Sequence, residues 1–301
     1  MDAVARIRRF NRTVTQSVGA LDNEFLGRKR SLGASRLLFE IARGEVELRT
    51  LRARLELDSG YTSRLLRGLE REGMVRTTPE RSDRRTRIVA VTAAGRREVA
   101  KLDRHSDAAA RTILASLGTT EHAALLEAMA TVEKLLLHDA IRVDVESPAS
   151  PDAERCLARY FAELAHRFDA GFDPARGISA SVAELTPPAG YFVIARLRGD
   201  AVGCGALKLH RTFGEIKRMW VDPATRGLGI GRHVLESLEQ LARSANLPKV
   251  RLETNRSLTE AQALYRRRGY REVPAFNAEP YAHHWFEKRL TVVHDRGSKR
   301  G

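Results

Sequence analysis

Apolar positions in the first 140 residues recur at helical spacing. Leu37, Leu38 and Ile41 form one stripe, Leu48, Leu51 and Leu55 a second, and Leu65, Leu66 and Leu69 a third, as expected of helices that each bury one face. After Gly73 the period changes. The run MVRTTPERSDRRTRIVAVT sets β-branched residues on both sides of a polar stretch containing Pro79, Ser82 and Asp83, which predicts strand, charged tip and strand. Helical spacing resumes at Ala93 and passes Val99 and Leu102, then Ile113 to Leu117. A break at Gly118 and Thr119 precedes an amphipathic helix from Glu121 to His138, with Leu125, Leu126, Met129, Val132, Leu135 and Leu136 on its apolar side.

Residues 142–152, RVDVESPASPD, hold two prolines and two serines and no helical stripe, and so predict a short linker. Beyond it a helix carries Leu157, Tyr160, Phe161, Leu164 and Phe168. Strand-like runs follow: YFVIARL, GCGALKL, EIKRMWV, VRLETN and HWFEKRL. Helical segments separate the later ones, Gly231 to Ser244 and Leu258 to Arg268. This is α+β texture with crossover helices. The expected layout is one domain over residues 1–141, a linker over 142–152, a second domain over 153–292 and a disordered basic tail over 293–301.

Composition sharpens this picture only in part. The 301 residues include 52 Lys+Arg against 38 Asp+Glu, a formal charge of +14, which favours polyanionic partners or an anionic cofactor. Both halves share the excess: residues 1–146 carry 27 basic and 21 acidic residues, and 147–301 carry 25 and 17. Placement must therefore carry the argument. A hydrophobic fraction of 43% fits a globular protein. No long apolar run occurs and the first residues are charged, so neither membrane spanning nor secretion is expected. Cys156 and Cys204 read as reduced core thiols of a cytoplasmic protein, and metal-ligand spacing of His and Cys is absent, so no metal is expected.

Residues 46–73 suggest a helix-turn-helix, with a first helix ending near Leu57, a turn at Asp58–Ser59–Gly60 and a second helix beginning at Tyr61 and Thr62. On its outer face Tyr61, Thr62, Ser63, Arg64 and Arg67 supply donors for base edges or phosphates, while Leu65, Leu66 and Leu69 point inward. The hairpin adds Arg76, Arg81, Arg84, Arg85 and Arg87, a density of like charge suited to a minor groove. SDRRTRIVAVTAAG after LLRGLEREGMV resembles the wing of the MarR family of winged helix-turn-helix regulators. Asp83–Arg84–Arg85 supplies the family's Asp-x-Arg pattern, and Val91–Thr92 to Gly95 stands for its Leu-Thr-x-x-Gly element, with valine for leucine. The resemblance implies that Arg85 enters the minor groove braced by Asp83. It also implies a homodimer through helices at about 2–30 and 97–140, docked on a pseudo-palindromic DNA duplex. Leu125, Met129, Val132 and Leu136 fit such a seam or a monomer core.

In EIKRMWVDPATRGLGIGR a strand to Val221 is broken by Asp222–Pro223, and Arg226–Gly227–Leu228–Gly229–Ile230–Gly231 leads into a helix. Glycines let main chain approach a ligand, and amides at a helix start point toward an anion. The spacing is G-x-G-x-G rather than the G-x-G-x-x-G of dinucleotide folds. Downstream lies RLETNRSLTEAQALYRRRGYREV. Together the two resemble the GNAT family of acetyl-CoA-dependent N-acetyltransferases: Arg226, Gly229 and Gly231 match its first motif, and Ala261, Leu264, Tyr265, Gly269 and Tyr270 its second.

That resemblance implies acetyl-CoA held between splayed strands by Met219, Trp220 and Val221, with its pyrophosphate on the amides of Gly227 to Arg232. Arg226 belongs to the same phosphate motif, and Arg268 or Arg267 would touch the adenosine phosphate. Tyr265 would be the general acid, and Asn255 would hydrogen-bond cofactor or intermediate. Glu215 is the first candidate for the base and Glu253 the second. The loop AFNAEPYAHHW, with His283 and His284, would line the acceptor pocket, where Arg218 and Arg251 hint at an amino-acid-like amine. The combined expectation is a mainly α winged helix-turn-helix domain followed by an α+β acyltransferase domain with a mixed, splayed sheet: a DNA-binding regulator and amine acetyltransferase in one chain. The alternatives are an acetyltransferase fold that only senses acetyl-CoA or an amine, and a first half that serves only dimerisation.

Overall fold

The computed structural model describes residues 2–17, 30–44, 46–55, 57–79, 86–169, 171–178 and 180–291. The chain divides into two compact units, residues 1–126 and 127–301.

The N-terminal unit contains helices α1 (Ala3–Ser17), α2 (Leu32–Ala42), α3 (Leu48–Leu55), α4 (Ser59–Arg71) and α5 (Ala93–Ala115) and the start of α6 (Thr119–Leu136). Strands β1 (Val46–Glu47), β2 (Val75–Pro79) and β3 (Arg87–Val91) form an antiparallel sheet in the order β1-β3-β2. Helix starts follow local chemistry. The Ser31, Asp58 and Thr92 side chains accept from the backbone N–H groups of Ala34, Tyr61 and Gly95, each satisfying an otherwise orphaned donor. Leu37, Leu38, Ile41, Leu51, Leu66, Leu69 and Val89 make the core. A Cβ on Gly95 would lie 2.1 Å from the Met74 carbonyl oxygen, so only glycine lets α5 cross so near β2. The predicted hairpin is present as β2 and β3, whereas its tip, with Arg81, Asp83, Arg84 and Arg85, lies outside the described residues, as does the expected tail.

The expected linker is corrected. Ile141–Val145 is a strand, β4, paired antiparallel with β5 (Gly190–Leu197) from Ile141↔Leu197 to Val145↔Val193. Its prolines come later, where Ser150 caps and Pro151 opens α7 (Pro151–Arg167). The two-residue alternation Ile141, Val143, Val145 was too short to stand out against the prolines and serines around it. The boundary between units falls inside α6 rather than at residue 141.

The remaining elements are β6 (Asp200–Leu209), β7 (Gly214–Val221), α8 (Ile230–Ser244), β8 (Lys249–Thr254), α9 (Thr259–Arg267), β9 (Arg271–Val273) and β10 (His284–Arg289). They complete a mixed seven-stranded sheet in the order β4-β5-β6-β7-β8-β10-β9. Side chains alternate across it. Phe192, Ile194, Cys204, Ala206 and Trp220 pack with Ala153 and Cys156 of α7 on one face. On the other, Val193, Ala195, Leu207, Ile216 and Phe286 pack with Val234, Leu235 and Leu238 of α8 and Tyr265 of α9. Both faces are thus covered, and the strands are apolar on both sides.

Candidate active site and nucleic-acid interface

Strands β7 and β8 run parallel but pair only at Gly214↔Val250 and Glu215↔Arg251. Past that point the ladder ends, leaving a wedge beside Met219, Trp220 and Val221. On the opposite edge the register against β6 slips between Cys204 and Ala206, and Arg218 sits at φ 54°. A left-handed non-glycine residue costs about 1–2 kcal/mol, and the bulge it makes bends the strand away from β8.

The chain then turns sharply. Asp222 caps the short turn Pro223–Thr225, Gly227 and Gly229 take φ 86° and 90°, and α8 begins without a side-chain cap. Its first amides are therefore open to an anion. Arg232 and Arg268, which line the cavity beside this turn with Gly227, Gly229 and Gly231, each bury an Nε that has no acceptor. An incoming anion would relieve that deficit. Arg226 is held differently: it donates to both oxygens of Glu163 at 2.6 Å and to the Val221 carbonyl at 3.2 Å. Glu163 also accepts from Trp220 Nε1 at 2.9 Å. Burial raises the Glu163 pKa, but hydrogen bonds from Arg226, Trp220 and Arg167 outweigh it and hold the carboxyl below its ordinary value.

A second cavity opens across the wedge. Tyr160, Leu164, Met219, Leu258, Ala261 and Tyr265 line both, so the Tyr265 side chain stands where they meet. Burial raises the Tyr265 pKa, and the nearby Glu253 carboxylate adds to the shift, so the phenol keeps its proton at neutral pH. Its hydroxyl lies 4.0 Å from Met219 Sδ. The walls of this chamber are aromatic: Phe161 stacks on Phe172, and Tyr281 packs against Phe168 and Phe172. Charge enters through Lys217, Arg218, Glu253 and Glu279. Lys217 Nζ bonds Glu253 Oε1 at 2.7 Å and Glu215 Oε1 at 3.2 Å, and Glu215 Oε2 is 2.9 Å from His210 Nε2. Glu253 Oε2 is buried with no partner. Desolvation raises the Glu253 pKa despite the opposing charge of Lys217.

In the N-terminal unit, α3 and α4 flank the turn that Asp58 caps. Arg64 and Arg67 are exposed, and Tyr61 is 37% exposed with the Arg64 guanidinium 5.8 Å from its ring centroid. Ser63 is half-buried, donating to Ser59 O and accepting from Arg52. Thr62 is corrected: it is fully buried, donating to the Asp58 carbonyl. It lies four and seven residues before Leu66 and Leu69 and so shares their inward face. Arg87, at the start of β3, is exposed.

Residues 153–270 match the acetyltransferase (GNAT) family model and residues 27–86 the MarR family model. An IAA acetyltransferase of Azospirillum brasilense is 41% identical over 32% of this chain and 63% of its own length, so under two thirds of that relative is spanned. The N-alpha-acetyltransferase RimI of Mycobacterium tuberculosis is 36% identical over 45% of this chain and 82% of its own. The chain belongs to the GNAT family. A solved GNAT family acetyltransferase of Elizabethkingia anophelis with acetyl-CoA bound is 17% identical, covering 50% of this chain and 99% of that one, with a TM-score of 0.36. The N-terminal unit carries a MarR family region, and no helix among the described residues is long and apolar enough to cross a membrane.

GNAT acetyltransferases use acetyl-CoA, and this GNAT unit has the parts to hold it: a wedge, a glycine turn at an uncapped helix, and two buried arginine nitrogens in want of an acceptor. Leu228 and Ile230 pack on the sheet core and offer only main chain. Trp220 is turned to the α7 side, bonded to Glu163. Asn255 donates to the Tyr281 carbonyl at 2.7 Å and accepts from Ser257 N at 2.9 Å, so it anchors the 281 loop over the chamber. Glu215 does not line the chamber, whereas Glu253 does. Arg251 is spent on Glu287 and on the rings of Phe213 and Phe276. His284 bonds Glu272, and neither it nor His283 reaches the chamber, which takes Glu279, Tyr281 and Ala282 from that loop instead. Lys217, Glu279, Glu163 and the aromatic walls went unread in the sequence. Only the shared parity of Glu215, Lys217 and Met219 on one strand hinted at Lys217.

Proposed function

We propose that the C-terminal unit transfers an acetyl group from acetyl-CoA to the primary amine of a small amino-acid-like acceptor, and that the N-terminal unit binds duplex DNA. The observation that carries the enzymatic part is the pair across the wedge. Tyr265 lines both cavities, and Glu253, which lines the chamber, keeps a buried, unpartnered carboxylate oxygen. Bound acetyl-CoA supplies the thioester carbonyl.

Glu253 Oε2 takes a proton from the acceptor ammonium, freeing the lone pair that forms the new C–N bond. An α-ammonium, with a pKa near about 8, yields its proton to a raised carboxyl more readily than a lysine side chain near about 10.4 does. Lys217 holds Glu253 in place through Oε1 and leaves Oε2 to the substrate. As the tetrahedral adduct collapses and the C–S bond breaks, Tyr265 O–H donates to the departing sulfur, and the second proton of the acceptor nitrogen restores the phenol as the amide forms. Asn255 is a positioning residue, fixing the Tyr281 loop. Arg218 brings positive charge to the chamber wall beside Phe161, which suits a carboxylate on the acceptor, and the aromatic walls suit an apolar side chain.

Incubating the protein with acetyl-CoA and a panel of amino acids, alkylamines and lysyl peptides, with products read by mass spectrometry, tests this. Acetylation of α-amines on apolar amino acids is expected. Binding of acetyl-CoA with turnover on no amine would leave a sensor and overturn the enzyme.

For the N-terminal unit, Tyr61, Arg64 and Arg67 on α4 and the wing residues Asp83, Arg84, Arg85 and Arg87 are the DNA contacts. A cytoplasmic homodimer presents two copies of α4 to a pseudo-palindromic operator. Support comes from the exposed arginines of α4, the MarR match and the apolar stripes on α1 and α6. Fluorescence anisotropy on duplex from the flanking promoter region tests it, with affinity falling steeply as salt rises because phosphate contacts release counterions.

A further inference from the structure

Of the cationic residues that line the coenzyme cavity, one lies outside the GNAT match over residues 153–270. Lys134 lies on α6, near its C-terminal end, and lines the cavity with Gly229, Arg232 and Arg268. A Cβ built on Gly229 would stand 3.6 Å from Lys134 Cε and 3.8 Å from its Cγ. The lysine stem therefore runs across the bare glycine at the start of α8, where the anion-seeking amides are. Among the described residues no hydrogen bond or ion pair takes the Lys134 ammonium. Its neighbours are spent: Arg226 on Glu163, Arg268 Nη2 on Glu236 at 2.5 Å, and Arg232 Nη2 on His138 Nδ1 at 3.2 Å.

The placement of Lys134 is not that of a loose surface side chain. One turn after it, His138 bonds Arg232 and meets His233 at 4.9 Å between ring centroids, tying the end of α6 to α8. Three residues later the chain enters the sheet as β4. Pinned at both points, α6 must carry Lys134 past the glycine turn. Two observations thus converge on an anion: a lysine with no partner among the described residues whose stem crosses the turn, and the orphaned Nε atoms of Arg232 and Arg268 in the same cavity.

We propose that Lys134 is a phosphate ligand of the coenzyme, so that coenzyme A binding clamps the last turns of α6. This rests on the glycine turn being the coenzyme site. The consequence is regulatory, because α6 starts in the N-terminal unit and ends in the C-terminal one. Occupancy of the acetyltransferase site is then felt along the helix in which the boundary between the two units falls. A ligand that stabilises one state of that helix must bias whatever else depends on it, and the coupling is reciprocal.

The test uses the full-length protein, titrated calorimetrically with coenzyme A and with pantetheine, which lacks the phosphates. Lys134→Gln is expected to raise the coenzyme A Kd about three- to tenfold and to leave pantetheine unchanged, with Lys134→Arg restoring affinity. Hydrogen exchange over residues 119–136 is expected to slow when coenzyme A is added to the wild type and to stay fast in Lys134→Gln. Equal coenzyme A affinity in wild type and Lys134→Gln, or equal exchange with and without coenzyme A, would overturn the proposal alone. No binding of coenzyme A to the wild type would overturn the coenzyme site itself, and this inference with it.

Discussion

Glu253 spends one carboxylate oxygen on Lys217 and leaves the other buried and bare. That imbalance costs stability and suits the base proposed above. Because its folded-state pKa is raised, the native state holds this proton more tightly than the unfolded chain does. The resulting stabilisation is complete below the ordinary carboxylate range and is lost as pH rises through the raised value. Ionised Glu253 is then a net burden at neutral pH. Glu253→Gln should accordingly raise the thermal midpoint at pH 7.5 and leave it nearly unchanged at pH 4, while kcat at pH 7.5 falls at least about 100-fold. A lowered midpoint at pH 7.5 would show that the carboxylate is stabilised by partners after all. In the wild type the rate should fall as pH drops through the same raised value. Tyr265→Phe removes the hydroxyl but keeps the ring that packs on Tyr270 and Phe286. Steady-state kinetics should show kcat reduced about 100-fold or more, with the KM for acetyl-CoA changed little.

Elements position these residues through two irregularities. The bulge at Arg218 and the early end of the β7–β8 ladder open the wedge, and the glycine turn closes it against α8. Gly229→Ala places a Cβ at φ 90°, in a backbone region that alanine adopts at a cost of about 1 kcal/mol or more, and sets it against the Lys134 stem. Chemical denaturation should show that loss, and calorimetry a weaker affinity for coenzyme A. Helix α4 divides the same way into an inward and an outward face. Thr62→Ala should cost about 1 kcal/mol of stability through the lost buried hydroxyl bond and leave the DNA affinity of the folded protein unchanged. Arg64→Ala should do the reverse, weakening DNA binding and lowering the slope of log K against log salt by about one. An unchanged slope would place Arg64 away from the phosphates.

At the scale of the whole molecule, the uncovered surfaces are informative. Val4, Ile7, Phe10 and Val14 recur at three- and four-residue spacing on α1, which buries none of its residues, and Leu126, Met129, Leu135 and Leu136 are exposed on α6. Contiguous apolar stripes of this kind mark association surfaces, and the dimer proposed above would cover them. Phe10→Glu should shift sedimentation from dimer to monomer and weaken operator binding, with the far-ultraviolet circular dichroism of the remaining helices retained.

Much of the protein was already legible in its sequence. Helical stripes, the hairpin, the glycine turn with its downstream Tyr265 helix and both family resemblances are local patterns, and local spacing is what a linear chain records. Tertiary structure decided what depends on distance: that Thr62 faces inward, that Ile141–Val145 is an edge strand, that Glu215 is locked to His210 and Lys217, and that Glu253 keeps one buried carboxylate oxygen with no partner among the described residues. Partners such as Glu163 with Arg226 or Lys134 with Gly229 stand 63 and 95 residues apart in the chain. Whether a charge is spent or available is settled only where distant segments meet, because pairing and desolvation act through space and not along the sequence.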